Sequence, residues 1–298
     1  MGLSVSLALG SGGARGYAHI GAIEALEERG YEIRSVSGCS MGALVGGFYA
    51  AGNIREFKSW ALKVDWFKAL KLVDLSLLPS GGAIKGDRVF ERLEPFFGDR
   101  AIENLPIRYT AVATDLDGKK EIWFQEGDLR TAIRASIAIP TVFTPIHRNG
   151  RVLVDGGVLN PLPIAPLTSD HNDLIVAVNL SAIYSTSLKP VSRDKDKNSL
   201  MQKLEKWLIK LGVWNAKARA SVTQLEILQR VIEVMQESMT LFKVAGYPPD
   251  ILVDIPVESC KTYEFHKAEE MIALGYDLTN RAIDAYEARG ANRSISSM

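Results

Sequence analysis

Short apolar runs alternate with helical patterns along the first part of the chain. LSVSLAL at residues 3–9 has the pattern of a buried strand, and the glycine-rich GSGGARG at 10–16 follows it. Apolar residues then recur at helical spacing in AHIGAIEALEERG, residues 18–30, with Gly30 placed to end the helix. EIRSVS at 32–37 and MGALVGGFYAAG at 41–52 repeat the order. Strand, glycine turn and helix, twice in succession, predict an α/β domain with a parallel sheet.

The rest of the chain continues the mixture of strands and helices. Asp117-Gly118 stands between two strand-like runs and predicts a hairpin. RVLVDGG at 151–157 predicts a strand that runs into a glycine turn. Further strands are predicted at 173–181 and 250–257, and helices at 128–138 and 265–290. The predicted fold class is therefore a three-layer α/β/α arrangement around a central, mostly parallel sheet.

A change of composition marks the region after the predicted strand at 173–181. SRDKDKNS at 192–199 is a charged linker, and two amphipathic helical patterns follow it within residues 200–242. The first pattern carries lysines on or near its polar face, namely Lys203, Lys206 and Lys210. Three roles remain open for these helices: packing on the core, lying in a lipid interface, and forming a homodimer. We expect one domain over residues 1–298 with a variable linker and helical insertion at about 183–245.

Composition and charge restrict the classes of protein. Lys and Arg together number 35, as do Asp and Glu, so no net charge draws the chain toward nucleic acid. The two cysteines, Cys39 and Cys260, form no CxxC motif or metal-ligand cluster, which favours a reducing compartment. The N-terminus lacks the basic stretch of a signal peptide, and no apolar run reaches the roughly 18 residues of a membrane span. We expect a cytoplasmic protein without metal or cofactor, with the inner membrane face as a site of peripheral contact.

The segment GCSMG, residues 38–42, raises the question of a nucleophile. Glycines flank Ser40 at the spacing of a nucleophile elbow, in which a strand, G-x-S-x-G and a helix follow one another. Glycine suits both positions because the turn is sharp and the strand and helix approach closely. A glycine-rich turn with a capping serine is the structural alternative. Cys39 is a rival nucleophile, although we expect its thiol to point away from Ser40 into the packing between strand and helix.

A serine nucleophile also needs groups that stabilise an oxyanion. Gly12 and Gly13, in the loop before the first helix, can present backbone N–H groups at a helix N-terminus. The N–H of Met41, at the start of the second helix, can add a further donor. Arg15 stands where a dinucleotide-binding G-x-G-x-x-G would need its last glycine, so this loop has another use. Arg15 itself can support the loop, attract an anionic head group or form a structural ion pair.

Asp155 is the best candidate for the base. It follows a predicted strand and precedes Gly156 and Gly157, at the edge of the sheet where sites of open α/β folds gather. A carboxylate in a partly dry site can deprotonate a serine without histidine, and a simple turn aspartate is the alternative. The four histidines stand in less suitable places: His19, His147, His171 and His266.

The motifs GSGGARG, GCSMG and DGG together resemble the patatin-like phospholipase family, most closely its bacterial, neuropathy-target-esterase-like branch of the RssA type. The resemblance covers residues 5 to about 180, including AIRASIAIPTVFTP and DGGVLNPLP, and resumes in AGYPPDILV and the final helix. It implies a Ser40–Asp155 dyad without a catalytic histidine, and an oxyanion hole at Gly12 and Gly13. The family loop usually begins with three glycines, and Ser11 replaces the first of them here.

The resemblance also implies an activity. We expect hydrolysis of acyl esters of phospholipids or lysophospholipids through an acyl-serine intermediate, with ASIAIPTVFTP at 135–145 lining the acyl pocket. Two alternatives remain at this point. One is a non-catalytic lipid-binding or regulatory module with the same fold, and the other is a histidine-assisted esterase of small soluble esters.

Overall fold

The computed structural model describes residues 2–63, 93, 96–140, 143–182 and 224–296. The strands in these ranges are β1 (Ser4–Leu9), β2 (Glu32–Cys39), β3 (Arg108–Asp115), β4 (Lys120–Phe124), β5 (Ile146–Arg148), β6 (Arg151–Asp155), β7 (Leu174–Ala182) and β8 (Ile251–Pro256). The α-helices are α1 (Ala18–Glu28), α2 (Met41–Ala50), α3 (Ile54–Lys63), α4 (Leu129–Ser136), α5 (Gln224–Gly246) and α6 (Ala268–Ser296).

The chain forms two compact units. Residues 1–183 and 236–298 make up the first unit, and residues 184–235 make up the second. The first unit contains all the strands of the described ranges, and the residues of α5 divide between the two units after position 235. The charged linker and the first of the two predicted amphipathic helices, with its three lysines, lie outside the described residues. The second predicted helix corresponds to α5.

All eight strands belong to one mixed sheet. Its order is β5-β6-β3-β2-β1-β7-β8, and β4 pairs with β3 off this path. Five neighbouring strands run parallel to one another, in the order β3, β2, β1, β7 and β8. Strands β4 and β6 pair antiparallel with β3, and β5 pairs antiparallel with β6. The predicted α/β fold with a mostly parallel central sheet is confirmed. The hairpin at Asp117-Gly118 is confirmed as the β3–β4 connection.

Alternate residues of the central strands face two different cores. Leu7 and Leu9 of β1 belong to the larger core, whereas Ala8 between them belongs to a smaller core on the opposite face. The same alternation holds on β7, where Val176 and Val178 flank Ala177. Because both faces are covered, these strands read as continuous apolar runs, as strands of parallel sheets usually do.

Strand β3 has different neighbours along its length, and this positions the site. Residues 108–112 pair with β2 on one side, and residues 113–115 pair with β6. Strand β4 pairs with residues 111–115, so it must occupy the opposite side, and β2 and β6 share an edge of β3. Cys39, the last residue of β2, is opposite Val112, and Asp155, the last residue of β6, is opposite Ala113. The ends of two strands distant in sequence therefore meet.

Helices α1 and α6 pack closely through glycines on both sides. A Cβ at Gly21 of α1 would lie 1.9 Å from the carbonyl oxygen of Ile272, and a Cβ at Gly275 of α6 would lie 2.0 Å from that of Ala18. Helix α6 also continues through Gly290, where the sequence pattern predicted its end. The chain after Gly290 contains no proline, so nothing local forces the helix to stop there.

We expect Gly275→Ala to lower the free energy of unfolding by about 1–3 kcal/mol, because the new methyl group would meet a backbone carbonyl that cannot move away easily. Gly290→Ala on the same helix is the matched control, since nothing lies within 4 Å of its Cβ position. That variant should be neutral or stabilising by up to about 1 kcal/mol. Urea denaturation measures both, and equal effects of the two substitutions would contradict the close packing of α1 on α6.

Candidate active site

Ser40 occupies the turn between β2 and α2 in a strained backbone conformation. Its φ is 56° and its ψ is −122°, a region that side-chain-bearing residues rarely adopt. A Cβ at Gly38 would lie 2.3 Å from the carbonyl oxygen of Gly42, and one at Gly42 would lie 2.1 Å from that of Leu9. Both flanking positions therefore require glycine. The strand, sharp turn and helix expected of a nucleophile elbow are present at Ser40.

Asp155 lies at the end of β6, beside the elbow. Its side chain is buried, with 4% of the residue exposed, and Ser40 is only 2% exposed. Oδ1 accepts a hydrogen bond of 2.7 Å from the N–H of Gly157. Oδ2 has no hydrogen-bond partner of ordinary geometry among the described residues. The Ser40 hydroxyl lowers the pKa of Asp155.

Burial determines the basicity of Asp155. Loss of hydration raises its pKa to about 6, although the Ser40 hydroxyl, the N–H of Gly157 and the Cys39 thiol act in the opposite direction. The carboxylate is thus ionised at neutral pH and is a stronger base than an exposed aspartate. That combination is what a general base in a serine hydrolase requires.

Cys39 lies differently from our expectation. Its Sγ is 3.8 Å from Oδ1 of Asp155, so the thiol faces the carboxylate instead of only filling space between strand and helix. Burial and the nearby Asp155 raise the pKa of the thiol well above its usual value. The thiol therefore stays protonated and donates toward the carboxylate, which is a poor arrangement for a nucleophile.

The glycine-rich loop approaches the site from the end of β1. The N–H of Ser11 donates to the carbonyl of Pro161, 2.8 Å away, which links this loop to the segment after Asp155. Gly13 has a φ of 56°, and a Cβ there would lie 2.4 Å from the carbonyl oxygen of Thr262, so only glycine fits. The N–H groups of Gly12 and Gly13 have no acceptor among the described residues.

Met41 contributes through the N-terminus of α2. It is the first residue of that helix, where backbone N–H groups have no intrahelical partner. Its side chain packs on the glycine-rich loop, because a Cβ at Gly16 would lie 2.1 Å from Cγ of Met41. The three backbone groups expected to form an oxyanion hole thus come from two adjacent segments around Ser40.

Arg15 is buried and bonded to backbone carbonyls. Its Nη1 donates to the carbonyl of Val257 at 3.0 Å and to that of Cys260 at 3.5 Å. These contacts attach the glycine-rich loop to the segment after β8. Of the roles left open by the sequence, the geometry favours loop support, because only 3% of Arg15 is exposed to a ligand.

His19 supports the loop from inside α1. Its Nε2 is 2.8 Å from the carbonyl oxygen of Gly10 and, since a carbonyl only accepts, carries the proton. Burial lowers its pKa to about 4, so the ring is neutral at physiological pH. His147 lies on β5. His171 lies in the loop before β7, at the amino end of that strand. His266 lies in the turn before α6.

Two contacts that local sequence patterns did not reveal join α5 to the site. Gln236 donates to the carbonyl of Gly157 at 3.2 Å, and Lys243 pairs with Glu121 of β4 at 2.6 Å. Glu121 also accepts from Asn160, 2.8 Å away, whose N–H bonds the carbonyl of Gly156. Of the four side chains in these contacts, only that of Asn160 belonged to a motif that the sequence analysis singled out, DGGVLNPLP.

A surface groove of about 400 Å³ lies along β4 and is separate from the dyad. It is lined by Glu103, Trp123, Phe124, Gln125, Glu126, Gly127 and Arg148. The segment 135–145 does not line this groove, and its residues 141 and 142 lie outside the described ranges. Its expected role in an acyl pocket stays a prediction. Among the described helices, none combines the length and apolar character of a membrane-spanning segment.

A strained serine elbow between a strand and a helix, on a mostly parallel sheet, is typical of α/β serine hydrolases. Comparisons with known proteins agree. The model of the patatin-like phospholipase family matches residues 7–168. An uncharacterised NTE family protein of Mycobacterium bovis is 39% identical over 332 residues, covering 95% of this chain and 92% of that protein. The chain belongs to the patatin-like phospholipase family.

Two more distant similarities extend the comparison. Lysophospholipase NTE1 of Candida glabrata is 27% identical over 97% of this chain, which spans 16% of the length of that protein. The crystal structure of VipD from Legionella pneumophila superposes with a TM-score of 0.54 and 16% identity, covering 96% of this chain and 67% of that one. The latter similarity supports the fold.

We expect Asp155→Asn to stabilise the protein by about 2–3 kcal/mol at pH 8, given about 1.4 kcal/mol for each unit of raised pKa. The folded state resists ionisation of Asp155, so wild-type stability falls as pH rises from about 4 to about 6, and asparagine removes this loss. The gain should disappear near pH 4. Chemical denaturation at the two pH values measures it.

Asp115→Asn is the control for this experiment. Asp115 is also buried, but its carboxylate accepts from the N–H of Gly118 and faces Arg151 at 3.6 Å. Its substitution should give no stabilisation at pH 8. A gain for Asp155→Asn that is equal at both pH values would contradict the burial of a charged Asp155.

Proposed function

We propose that the protein is a serine hydrolase that cleaves acyl ester bonds of phospholipids or lysophospholipids through a Ser40–Asp155 dyad. The observation that carries the proposal is the meeting of the strained Ser40 elbow with the buried Asp155 carboxylate along β3. Family membership supports the lipid class of substrate, as does the similarity to a protein named as a lysophospholipase.

The reaction follows from the positions of the groups. Ser40 Oγ attacks the ester carbonyl while its proton passes to Asp155. The N–H groups of Gly12, Gly13 and Met41 stabilise the oxyanion of the tetrahedral intermediate. Collapse of that intermediate expels the alcohol, which takes the proton from Asp155, and leaves an acyl-Ser40. Water then gives a proton to Asp155, attacks the acyl group and releases a fatty acid, and Ser40 regains its proton.

The two alternative functions are less well supported by the same contacts. A histidine-assisted mechanism needs a histidine at Ser40, but His19 is bonded to Gly10, and burial lowers its pKa to about 4. A non-catalytic module has no need of the strained Ser40 or of a buried, ionised Asp155, and both reduce stability. Costs of this kind are usual at catalytic sites.

We expect a fluorophosphonate to form one adduct on wild-type protein at pH 8, which intact-mass spectrometry detects. Ser40→Ala should give no adduct, because the nucleophile is absent. Asp155→Asn should label at least about 100-fold more slowly, since general-base catalysis contributes about 10²–10⁴-fold. Asp115→Asn is the matched control and should label within about threefold of wild type.

Other results would point elsewhere. A folded wild type without an adduct would favour the non-catalytic module. An adduct that forms at an undiminished rate on Asp155→Asn, but disappears in a histidine variant, would favour the histidine-assisted esterase.

The proposed substrate is presented by a membrane or micelle, which requires a contact surface. Leu241 and Phe242 of α5 are 67% and 75% exposed, and the amphipathic pattern at 200–211 carries three lysines on or near its polar side. These features support peripheral contact with lipid by residues 200–242. Formation of a homodimer through the same residues remains the alternative.

Reversing Lys203, Lys206 and Lys210 to Glu should reduce binding to anionic vesicles by about 100-fold or more in flotation, because each basic residue near such a surface contributes about 1 kcal/mol. The control reverses three exposed arginines of the first unit: Arg34, Arg55 and Arg281. Unchanged flotation of the lysine variant, or equal loss in the control, would contradict the proposed contact.

A further inference from the structure

We propose that Ser136 is a positioning residue that aligns the dyad, acting within a short stretch, residues 136–138, which we term the alignment segment. The inference rests on the proposed function, because it assigns a role in that reaction. Ser136 ends α4, and Ala138 lies just beyond it. Both are completely buried.

The first argument is the strain at Ser40. Its backbone conformation is unfavourable for any residue with a side chain, so neighbouring contacts must impose it. Helix α2 begins only at Met41, and its first hydrogen bond uses the carbonyl of Ser40, not its N–H. The N–H of Ser40 therefore needs a partner outside the helix.

Ser136 supplies that partner. Its Oγ accepts the N–H of Ser40 at 3.0 Å and donates to the carbonyl of Val112 at 2.6 Å. One hydroxyl thus ties the backbone of the nucleophile to β3, the strand that pairs with both β2 and β6. Because a hydroxyl has only one proton to donate, these two bonds fix its orientation.

The same segment holds the second member of the dyad. The carbonyl of Ala138 accepts the N–H of Asp155 at 2.9 Å. The backbone N–H groups of both Ser40 and Asp155 therefore bind to residues only two positions apart. The geometry makes the distance between nucleophile and base depend on this segment as well as on β3.

The carbonyl of Val112 contacts residues that position both members of the dyad. On one side it accepts from Ser136, which holds Ser40. On the other side Gly156 packs against it, since a Cβ at Gly156 would lie 2.2 Å from this oxygen. Removal of the Ser136 hydroxyl removes one hydrogen bond from this carbonyl and one from the N–H of Ser40.

The expected consequence is misalignment of Ser40 against Asp155 with little effect on binding. A displacement of about 1 Å at a reacting group can lower a rate by about 100-fold. We therefore expect Ser136→Ala to lower the maximal rate constant of fluorophosphonate labelling by about 10- to 100-fold. The reagent concentration at half-maximal rate should stay within about twofold, because Ser136 is completely buried and cannot contact the reagent.

Ser35→Ala is the matched control. Ser35 lies on β2 and is also buried, and its hydroxyl donates to Ser6 and accepts from Asn172. The substitution thus removes one donated and one accepted hydrogen bond, as Ser136→Ala does, but from a residue of β2 that does not contact the dyad. We expect a comparable loss of stability, read from urea denaturation, with labelling within about twofold of wild type.

Ser136→Cys covers the case in which Ser136→Ala fails to fold. Its side chain nearly preserves the volume, but sulfur is a weaker donor and acceptor, so the maximal labelling rate should again fall while the half-maximal concentration holds. For both variants the midpoint of the pH–rate profile should stay near the value of wild type, which reports on Asp155.

The outcomes separate this inference from the proposed function. Slow labelling of the folded Ser136 variants, with normal labelling of Ser35→Ala, supports the positioning role. If the wild type is labelled and the Ser136 variants are labelled at the same maximal rate, this inference alone would be overturned. Equal slowing in Ser35→Ala would also overturn it, since loss of stability would then explain the effect. A folded wild type without labelling would overturn both proposals.

Discussion

The pairing of β3 with two different strands along one edge is the constraint on which the candidate site depends. Cys39 ends β2 opposite Val112, and Asp155 ends β6 opposite Ala113, so consecutive residues of β3 bring the two strand ends together. Parallel and antiparallel pairing meet at this point, because β2 runs along β3 and β6 runs against it. In a site built in this way, backbone hydrogen bonds fix the distance between the nucleophile and the base. They fix it more precisely than contacts between mobile loops would.

Several close contacts follow from that arrangement. Gly38 allows the end of β2 to lie against the start of α2, Gly42 allows the elbow to lie against β1, and Gly156 allows the segment after Asp155 to lie against β3. Each of these glycines has a carbonyl oxygen where a Cβ would be. Close backbone contacts thus explain these three glycines, and the strain at Ser40 is supported by surroundings that leave it little freedom.

The sequence predicted the parts of this arrangement that depend on local patterns. Periodicity and glycine turns were enough for the strands, for most of the helices and for the elbow at Ser40. The motif set pointed to Asp155 because it follows a strand. The pairing of Ser136 with Ser40 could not be predicted in this way, since 96 residues separate them and a buried serine at the end of a helix has no distinctive pattern. The same holds for Lys243 and Glu121, and for the thiol of Cys39, whose direction depends on where β6 ends.

Burial gives an aspartate some of the properties for which other hydrolases use histidine. An unperturbed imidazole has a pKa of about 6.5, and desolvation raises the pKa of Asp155 to about 6. The hydrogen bond from Gly157 and the contact with the Cys39 thiol limit that rise, so the carboxylate remains ionised at neutral pH. A deeper site without these donors would hold the carboxyl protonated, and a wetter site would leave it too weakly basic. The proposed chemistry therefore requires a site that is almost closed to water yet supplies a few donors, as the segment around Asp155 does.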